Sequence, residues 1–115
     1  MSKLDLDYFE NVLMYKSLTD GTYLASVADF VQPEFFKSKA IASIFTIIKD
    51  FSEKRNKLPT ATEIKSHLVT DDQKQSFKEL VTSFNDIDKN LDKDELYDNT
   101  EQFLKRKQFI ILCLM

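Results

Sequence analysis

The stretch PEFFKSKAIASIFTIIKDFSEKR, residues 33–55, decides the fold class of this chain. Its apolar side chains recur at spacings of three and four residues, which is the period of one helix face. This face consists of Ile41, Ile44, Phe45, Ile48 and Phe51. The pattern predicts an amphipathic helix that ends in the polar residues 53–57, EKRNK. It also predicts a short turn that begins at Pro33 and buries Phe35 or Phe36.

Two helices are predicted before this stretch, over residues 4–18 and 22–31. We expect Asp20-Gly21 to end the first helix, because glycine accepts a positive φ at helix ends. Thr22 is the predicted cap of the second helix. That helix should end before Pro33, because the residue before proline is disfavoured in the α region. The side chains expected to face inward are Leu24, Val27 and either Phe30 or Val31.

Three further helices and an acidic link are predicted after this stretch. Thr60 and Glu63 have the T-x-x-E spacing of a capping box, which predicts the start of a short helix carrying Ile64 and Leu68 inward. Residues 71–84 form the next predicted helix, and residues 85–95, NDIDKNLDKDE, are a charged link. The last helix is predicted from about residue 93 to the end of the chain.

The predicted fold is all-α, a compact bundle of about four to five helices followed by an antiparallel helical hairpin. Residues 1–70 are expected to form the globular part, and residues 71–115 the hairpin. One glycine and two prolines among 115 residues leave little material for the turns of a sheet. The 43% of apolar residues is enough for a core in a single domain of this length.

Charge and cysteine content limit the class of protein. Charged residues make up 30% of the chain, with a net charge of −3, which predicts no strong direct binding to DNA. The single cysteine, Cys113, excludes an internal disulfide and favours a reduced, cytoplasmic protein. The apolar residues 109–115 are far fewer than the ~20 that a membrane-spanning helix needs. We therefore expect no membrane anchor.

The sequence lacks the residue sets of the common catalytic sites. It has one histidine, His67, and its single glycine excludes the glycine-rich phosphate loops. An EF-hand starting at Asp86 would place Leu91 where glycine is required and Tyr97 where a glutamate is required. The basic groups at residues 53–57 and 105–107 are better explained as solvated faces than as nucleic-acid sites. We expect no enzyme activity, no metal and no cofactor.

A family resemblance rests on the order of apolar motifs from residue 9 to residue 68. The motifs are Glu10 with Val12-Leu13, then Val31-Gln-Pro33-Glu-Phe35-Phe36, then Ile44-Phe45 with Ile48, then Leu58-Pro59-Thr60, and finally Leu68. In this order they resemble the N-terminal domain of DnaB-type replicative DNA helicases, most closely the T-even phage branch. The later part, Phe77 to Leu80 and then Tyr97 to Phe109, resembles the helical hairpin of that family. The acidic residues 85–95 depart from it, because cellular members carry small residues and asparagine there.

The resemblance implies a non-catalytic collar domain of a hexameric helicase. In this family the domain lacks ATPase activity, associates through its hairpins as a trimer of dimers, and binds primase or a helicase loader. The motor domain with its phosphate loop follows across a linker. The implied partners are other copies of the chain, in a dimer or hexamer, and primase or a loader. The implied location is the cytoplasm of the bacterial host.

The predicted interface consists of apolar residues on the two hairpin helices. They are Phe77, Leu80, Val81, Phe84, Leu96, Phe103, Leu104, Phe109, Ile110, Ile111 and Leu114. The alternative for each is that it only closes the core of the monomer. A different function also stays open, that of a free-standing small helical phage regulator that binds DNA or a host protein. Its recognition helix would lie near residues 37–49, which are mostly apolar.

Overall fold

The computed structural model describes residues 6–87 and 92–114, with side chains up to residue 109. Over these residues the chain contains six α-helices, two short 3₁₀ helices and no strand. The α-helices are α1 Leu6–Thr19, α2 Gly21–Val27, α3 Lys39–Arg55, α4 Ala61–His67, α5 Asp71–Ser83 and α6 Lys93–Leu114. The 3₁₀ helices are Pro33–Phe35 and Phe84–Asp86. The all-α prediction is confirmed.

The centre of the fold is α3, as the spacing of its apolar residues predicts. Ile44 and Ile48 have no exposed surface, and Ile41 and Phe45 are also buried. α3 packs against α1, α4, α5 and the 3₁₀ helix Pro33–Phe35. A single hydrophobic cluster contains buried residues from all six α-helices. Burial of this amphipathic face stabilises α3 more than its local propensity does.

α5 and α6 contribute to the same hydrophobic cluster, but they pack against different helices. The principal neighbour of α5 is α3, whereas α6 packs on α1 and on the 3₁₀ helix Pro33–Phe35. The ring centroids of Phe9 on α1 and Phe103 on α6 are 5.6 Å apart. The sequence predicted that α5 and α6 pair with each other, but each finds its main partner in the first part of the chain. A periodic pattern defines the buried face of a helix, not the helix that covers it.

The start of α2 differs from the prediction. Oδ1 of Asp20 accepts hydrogen bonds from the backbone N–H groups of Thr22 and Tyr23, at 3.0 and 3.2 Å. Asp20 is therefore the cap, and the prediction of Thr22 was wrong. α1 ends at Thr19, so the predicted break at Asp20-Gly21 is confirmed. Gly21 is the first residue of α2 and has no positive φ, so the predicted glycine conformation was wrong. An aspartate before the helix caps it equally well, and the short side chain of Asp20 already reaches both amides.

The left-handed residue of the described chain is Asn56, with φ of 54°. It ends α3, and its N–H donates to the carbonyl of Ser52 at 2.9 Å. Asparagine is one of the few residues other than glycine that adopt this conformation at modest cost. The solvated stretch after α3 therefore begins with a defined helix stop.

The next two helices, α4 and α5, both start with a capping box. Thr60 N–H donates to Glu63 Oε1 at 2.9 Å, and Glu63 N–H donates to Thr60 Oγ1 at 3.2 Å, as predicted. The hydrogen bond from the Thr60 amide lowers the pKa of Glu63. Thr70 and Gln73 form a second box at the start of α5, which the sequence analysis missed. The short link between α4 and α5 is thus defined by local hydrogen bonds.

Candidate protein-protein interface

Four of the predicted interface residues are core residues of the monomer. Phe77, Leu80, Leu96 and Phe103 are between 0% and 5% exposed. All four belong to the hydrophobic cluster that also contains the core of α1 and α3. These four side chains close the core of the monomer, which was the alternative to an interface role, because the single chain already removes them from water.

The other predicted interface residues lie nearer the surface. Phe84 and Leu104 are half-buried against the cluster, whereas Val81 is 42% exposed and Phe109 is 67% exposed. α6 extends to Leu114, but the side chains of Ile110, Ile111 and Leu114 lie outside the described residues. Among the described side chains, the structure therefore leaves two of the predicted contacts open to solvent, one on α5 and one on α6.

A groove between α2 and α6 contains an exposed aromatic residue that the sequence analysis did not assign. The groove has a volume of about 510 Å³, and its apolar residues are Val27, Phe30, Phe35, Tyr97 and Leu104. Phe30 is 66% exposed and Val31 is 7% exposed, which resolves the choice between them. Since α2 ends at Val27, helical spacing no longer predicts which of the two faces inward. A hydrogen bond of 3.2 Å from Gln32 Nε2 to Gln108 Oε1 joins this end of the fold to α6.

A second groove lies between α4 and α5 and has a volume of about 490 Å³. Its lining residues are Ala61, Lys65, Leu68, Lys74, Phe77, Lys78, Val81 and Thr82. Every charged side chain in this lining is a lysine. The signal was present in the sequence, because Lys74 and Lys78 are four residues apart on α5, as are Phe77 and Val81. On α4, Lys65 lies four residues after Ala61 and three before Leu68. Only the packing of α4 beside α5 shows that the two stripes face one groove.

A third groove, of about 660 Å³, lies beside the start of α3 and includes His67, Lys37 and Lys39. His67 is exposed at the end of α4.

Among residues 6–87 and the described part of α6, no group of three His, Cys, Asp or Glu residues could hold a metal ion. The EF-hand-like spacing from Asp86 includes residues 88–91, which lie outside the described residues. No described helix is long and apolar enough to cross a membrane.

The helix considered for DNA recognition, α3, uses one face for the core. The segment considered, residues 37–49, carries Lys37, Lys39 and Lys49. The exposed positions directly after it carry both signs of charge, with Asp50 and Glu53 beside Lys54 and Arg55. A surface of this kind does not concentrate positive charge as a duplex-binding helix does.

Two buried polar groups connect the helices around the core. Glu10 on α1 is 2% exposed and accepts a hydrogen bond from the backbone N–H of Lys37. Burial raises the pKa of Glu10, whereas the Lys37 hydrogen bond and the positive charges of Lys107 and Lys37 oppose that rise. Tyr23 on α2 is hydrogen-bonded to Thr100 on α6, and burial raises the pKa of its phenol to about 12. Glu10 therefore joins α1 to the segment before α3, and Tyr23 joins α2 to α6. Both side chains are buried, so neither is exposed for contact with a partner protein.

Comparison with protein-family models, with curated proteins and with solved structures found no match to this chain. Two described surfaces are therefore the candidate interfaces. They are Phe109 on α6 with the neighbouring groove that contains Phe30, and the lysine-lined groove between α4 and α5.

Proposed function

We propose that this chain is a non-catalytic association domain that binds further copies of itself through the C-terminal part of α6. The observation that carries the proposal is the contrast along this helix: Phe103 has no exposed surface, and Phe109 is 67% exposed. The α6 backbone continues to Leu114, which is about 16 Å beyond Phe103 at the rise of an α-helix. The sequence from residue 109 to residue 115 is entirely apolar.

A second copy is the partner that this surface fits. The groove that contains Phe30 is also lined by Leu104 and Gln108, so it leads directly to the α6 turn that carries Phe109. Phe30 and Phe109 are 66% and 67% exposed, and large apolar side chains exposed near one groove are typical of a protein interface. In a two-fold dimer the same patch occurs on both partners. One symmetric contact would therefore cover the apolar surfaces of both copies.

The role that agrees with such association is the collar of a DnaB-type hexameric helicase. Its support is the order of motifs from Glu10 to Leu68, together with an all-helical chain whose single glycine excludes a phosphate loop. A collar needs copies of the domain to bind each other, and in that family it also receives primase or a loader. The chemistry of DNA unwinding would belong to a motor domain that follows the collar.

Sedimentation equilibrium tests the association. We expect the wild-type chain to form dimers or larger species over about 1–500 µM, because oligomers of this kind depend on concentration. Phe109→Glu should weaken association at least about tenfold, since it places a charge at the centre of the apolar contact. Val69→Glu is the matched control, because Val69 is 80% exposed and lies on the link between α4 and α5. A strict monomer at the highest concentration would contradict the proposal, as would equal association of Phe109→Glu and the wild type.

The helicase role has a separate test. The reading frame beyond residue 115 should encode the phosphate-loop pattern G-x-x-x-x-G-K-[ST]. Its absence would remove the helicase role while leaving the self-association result unchanged.

A further inference from the structure

The groove between α4 and α5 combines an apolar floor with a purely basic rim. Ala61 and Val81 provide exposed apolar surface, and Leu68 and Phe77 form the buried floor. The rim consists of Lys65 on α4 and of Lys74 and Lys78 on α5. Among the described residues no carboxylate lines the groove, although the chain as a whole has a net charge of −3. The sign of charge at this surface is therefore opposite to that of the chain.

The three lysines have no ion-pair partner within the part of the chain that the structure describes. Glu79, the nearest carboxylate in sequence to Lys78, accepts a hydrogen bond from Gln75 at 3.1 Å. Asp71 and Asp72 lie in the first turn of α5 and do not line the groove. The ammonium groups are thus available to carboxylates from another molecule.

The dimensions of the groove match a short helix. On α5 the lining residues run from Lys74 to Thr82, about 12 Å along the axis, and on α4 from Ala61 to Leu68, about 10 Å. An amphipathic helix of two to three turns covers such a length with apolar residues at three- and four-residue spacing. Acidic residues on either side of its apolar stripe would meet the lysines.

We propose that the α4–α5 groove is a docking site for an acidic amphipathic helix of a partner protein, held by apolar contacts to Val81 and Ala61 and by charge pairs to Lys65, Lys74 and Lys78. The site goes beyond the proposed self-association, which uses α6. Charge complementarity provides the selectivity and faster encounter, and apolar contact with Val81 and Ala61 provides most of the affinity. Because the rim is exposed, binding should weaken as salt is raised.

The composition of the groove favours a protein helix over nucleic acid. Single-stranded nucleic acid binds largely by stacking its bases on exposed aromatic rings. Phe77, the aromatic residue of this groove, is 2% exposed and offers no ring face for stacking. The groove also contains no arginine, the residue most suited to bidentate phosphate contacts.

The test is a selection from a random-peptide display library against the full chain, followed by measurement of each enriched peptide by fluorescence anisotropy. We expect enriched peptides to combine aspartate or glutamate with apolar residues at three- and four-residue spacing. The double variant Lys74→Glu/Lys78→Glu should weaken their binding at least about tenfold, because two attractive charge pairs become repulsive. Val81→Ser should weaken it about three- to tenfold through lost apolar contact.

The control is the double variant Lys54→Glu/Lys57→Glu, which makes the same change of net charge on exposed residues outside the groove. It should bind the peptides like the wild type. If Lys74→Glu/Lys78→Glu fails to fold, Lys74→Gln/Lys78→Gln removes the positive charges without adding negative ones. That variant should still weaken binding several-fold.

Four results would overturn the proposal. They are the absence of enriched peptides, enriched peptides without acidic residues, equal binding by the groove variants and the control, and tighter binding of a single-stranded oligonucleotide through the same lysines. Sedimentation of Lys74→Glu/Lys78→Glu should match that of the wild type. A shift to monomer would instead show that a second copy of this chain covers the groove.

Discussion

The carboxylate of Glu10 on α1 accepts a hydrogen bond of 2.9 Å from the backbone N–H of Lys37, in the segment that leads into α3. Glu10 is 2% exposed, so its charge is held away from water. Burial raises its pKa above the ordinary value of 4.5, and the Lys37 hydrogen bond only partly offsets this effect. The hydrogen bond fixes the position of the segment before α3, but it requires an ionisable side chain to be buried.

The first prediction is that Glu10 makes the stability of this fold fall as pH rises. Because the pKa is raised in the folded state, the folded chain binds this proton more tightly than the unfolded chain does. The contribution of Glu10 to stability is therefore fully present below the unfolded value of 4.5 and is lost as pH rises through the folded pKa. Glu10→Gln keeps an oxygen acceptor for Lys37 and should remove this dependence. Urea unfolding of both chains between about pH 4 and pH 7 measures the difference.

A control variant separates the charge from the hydrogen bond. Glu10→Ala should lower the free energy of unfolding by about 1–3 kcal/mol near pH 4, because it leaves the Lys37 N–H without its acceptor. The loss should become smaller as pH rises, because this variant also removes the buried carboxylate. If Glu10→Gln shows the same pH dependence as the wild type, the carboxylate is not the group responsible.

The second prediction concerns the hydrogen bond between Tyr23 and Thr100, whose oxygens are 2.8 Å apart. Thr100 donates its proton to the carbonyl of Leu96 at 2.8 Å, so Tyr23 is the donor to Thr100. Tyr23→Phe should cost about 0.5–1.5 kcal/mol, and Thr100→Val about 1–3 kcal/mol because it leaves the buried phenol unpaired. The loss of stability in the double variant Tyr23→Phe/Thr100→Val should be smaller than the sum of the two single losses. Thermal unfolding of the wild type, the two single variants and the double variant measures this difference. Strict additivity would mean that the two groups do not interact.

The raised pKa of Tyr23 adds an alkaline effect. Between the unfolded value of 10.0 and the folded value of about 12, the unfolded chain loses the phenol proton and the folded chain keeps it. Stability from this group should therefore fall as pH rises through that range. Tyr23→Phe should lose less stability than the wild type between these pH values.

The third prediction distinguishes two candidate caps of α2. Asp20→Ala should lower the free energy of unfolding by about 1 kcal/mol, because two backbone N–H groups lose their acceptor. Thr22→Ala should change it by less than about 0.5 kcal/mol, since the exposed Thr22 side chain does not cap the helix. Chemical denaturation of the two variants gives the answer directly. A larger loss in Thr22→Ala would restore the cap that the sequence alone predicted.

The fourth prediction separates two aromatic residues of α6 that the sequence placed in one interface. Phe103→Ala should destabilise the monomer by about 3–5 kcal/mol, because Phe103 is fully buried against Phe9. Phe109→Ala should change monomer stability by less than about 0.5 kcal/mol, since its ring is largely exposed. The measurement is thermal unfolding at a concentration low enough to keep the chain monomeric. Equal losses in the two variants would show that Phe109 is part of the monomer core.

Much of the fold could be predicted because it depends on local patterns. The buried face of α3 follows from the spacing of Ile41, Ile44, Phe45 and Ile48, and all four are buried. The Thr60–Glu63 box and the extent of α6 were also predicted, because caps and long apolar stripes involve residues within a few turns. Asp20 was missed because it lies one residue before a glycine that offered a competing explanation.

The candidate sites could be predicted only in part. Spacing places Phe103 and Phe109 on the same long helix, but it does not show that one is covered by α1 and the other is not. The sequence does not decide between Phe30 and Val31, because both lie beyond the last turn of α2. The lysines of α4 and α5 are separated in sequence by the link at residues 68–70, so their common groove was not recognised.

The sequence by itself determined that this chain is helical, where most of its helices begin, and which side of each is apolar. These properties depend on spacing and on hydrogen bonds between neighbours, which a linear pattern contains. Only the tertiary structure decided which apolar side chains are covered within the monomer. It places α5 on α3 and α6 on α1, and so leaves Phe109 and the lysine-lined groove to solvent. Exposure depends on which helices meet, and that is set by packing the whole core at once.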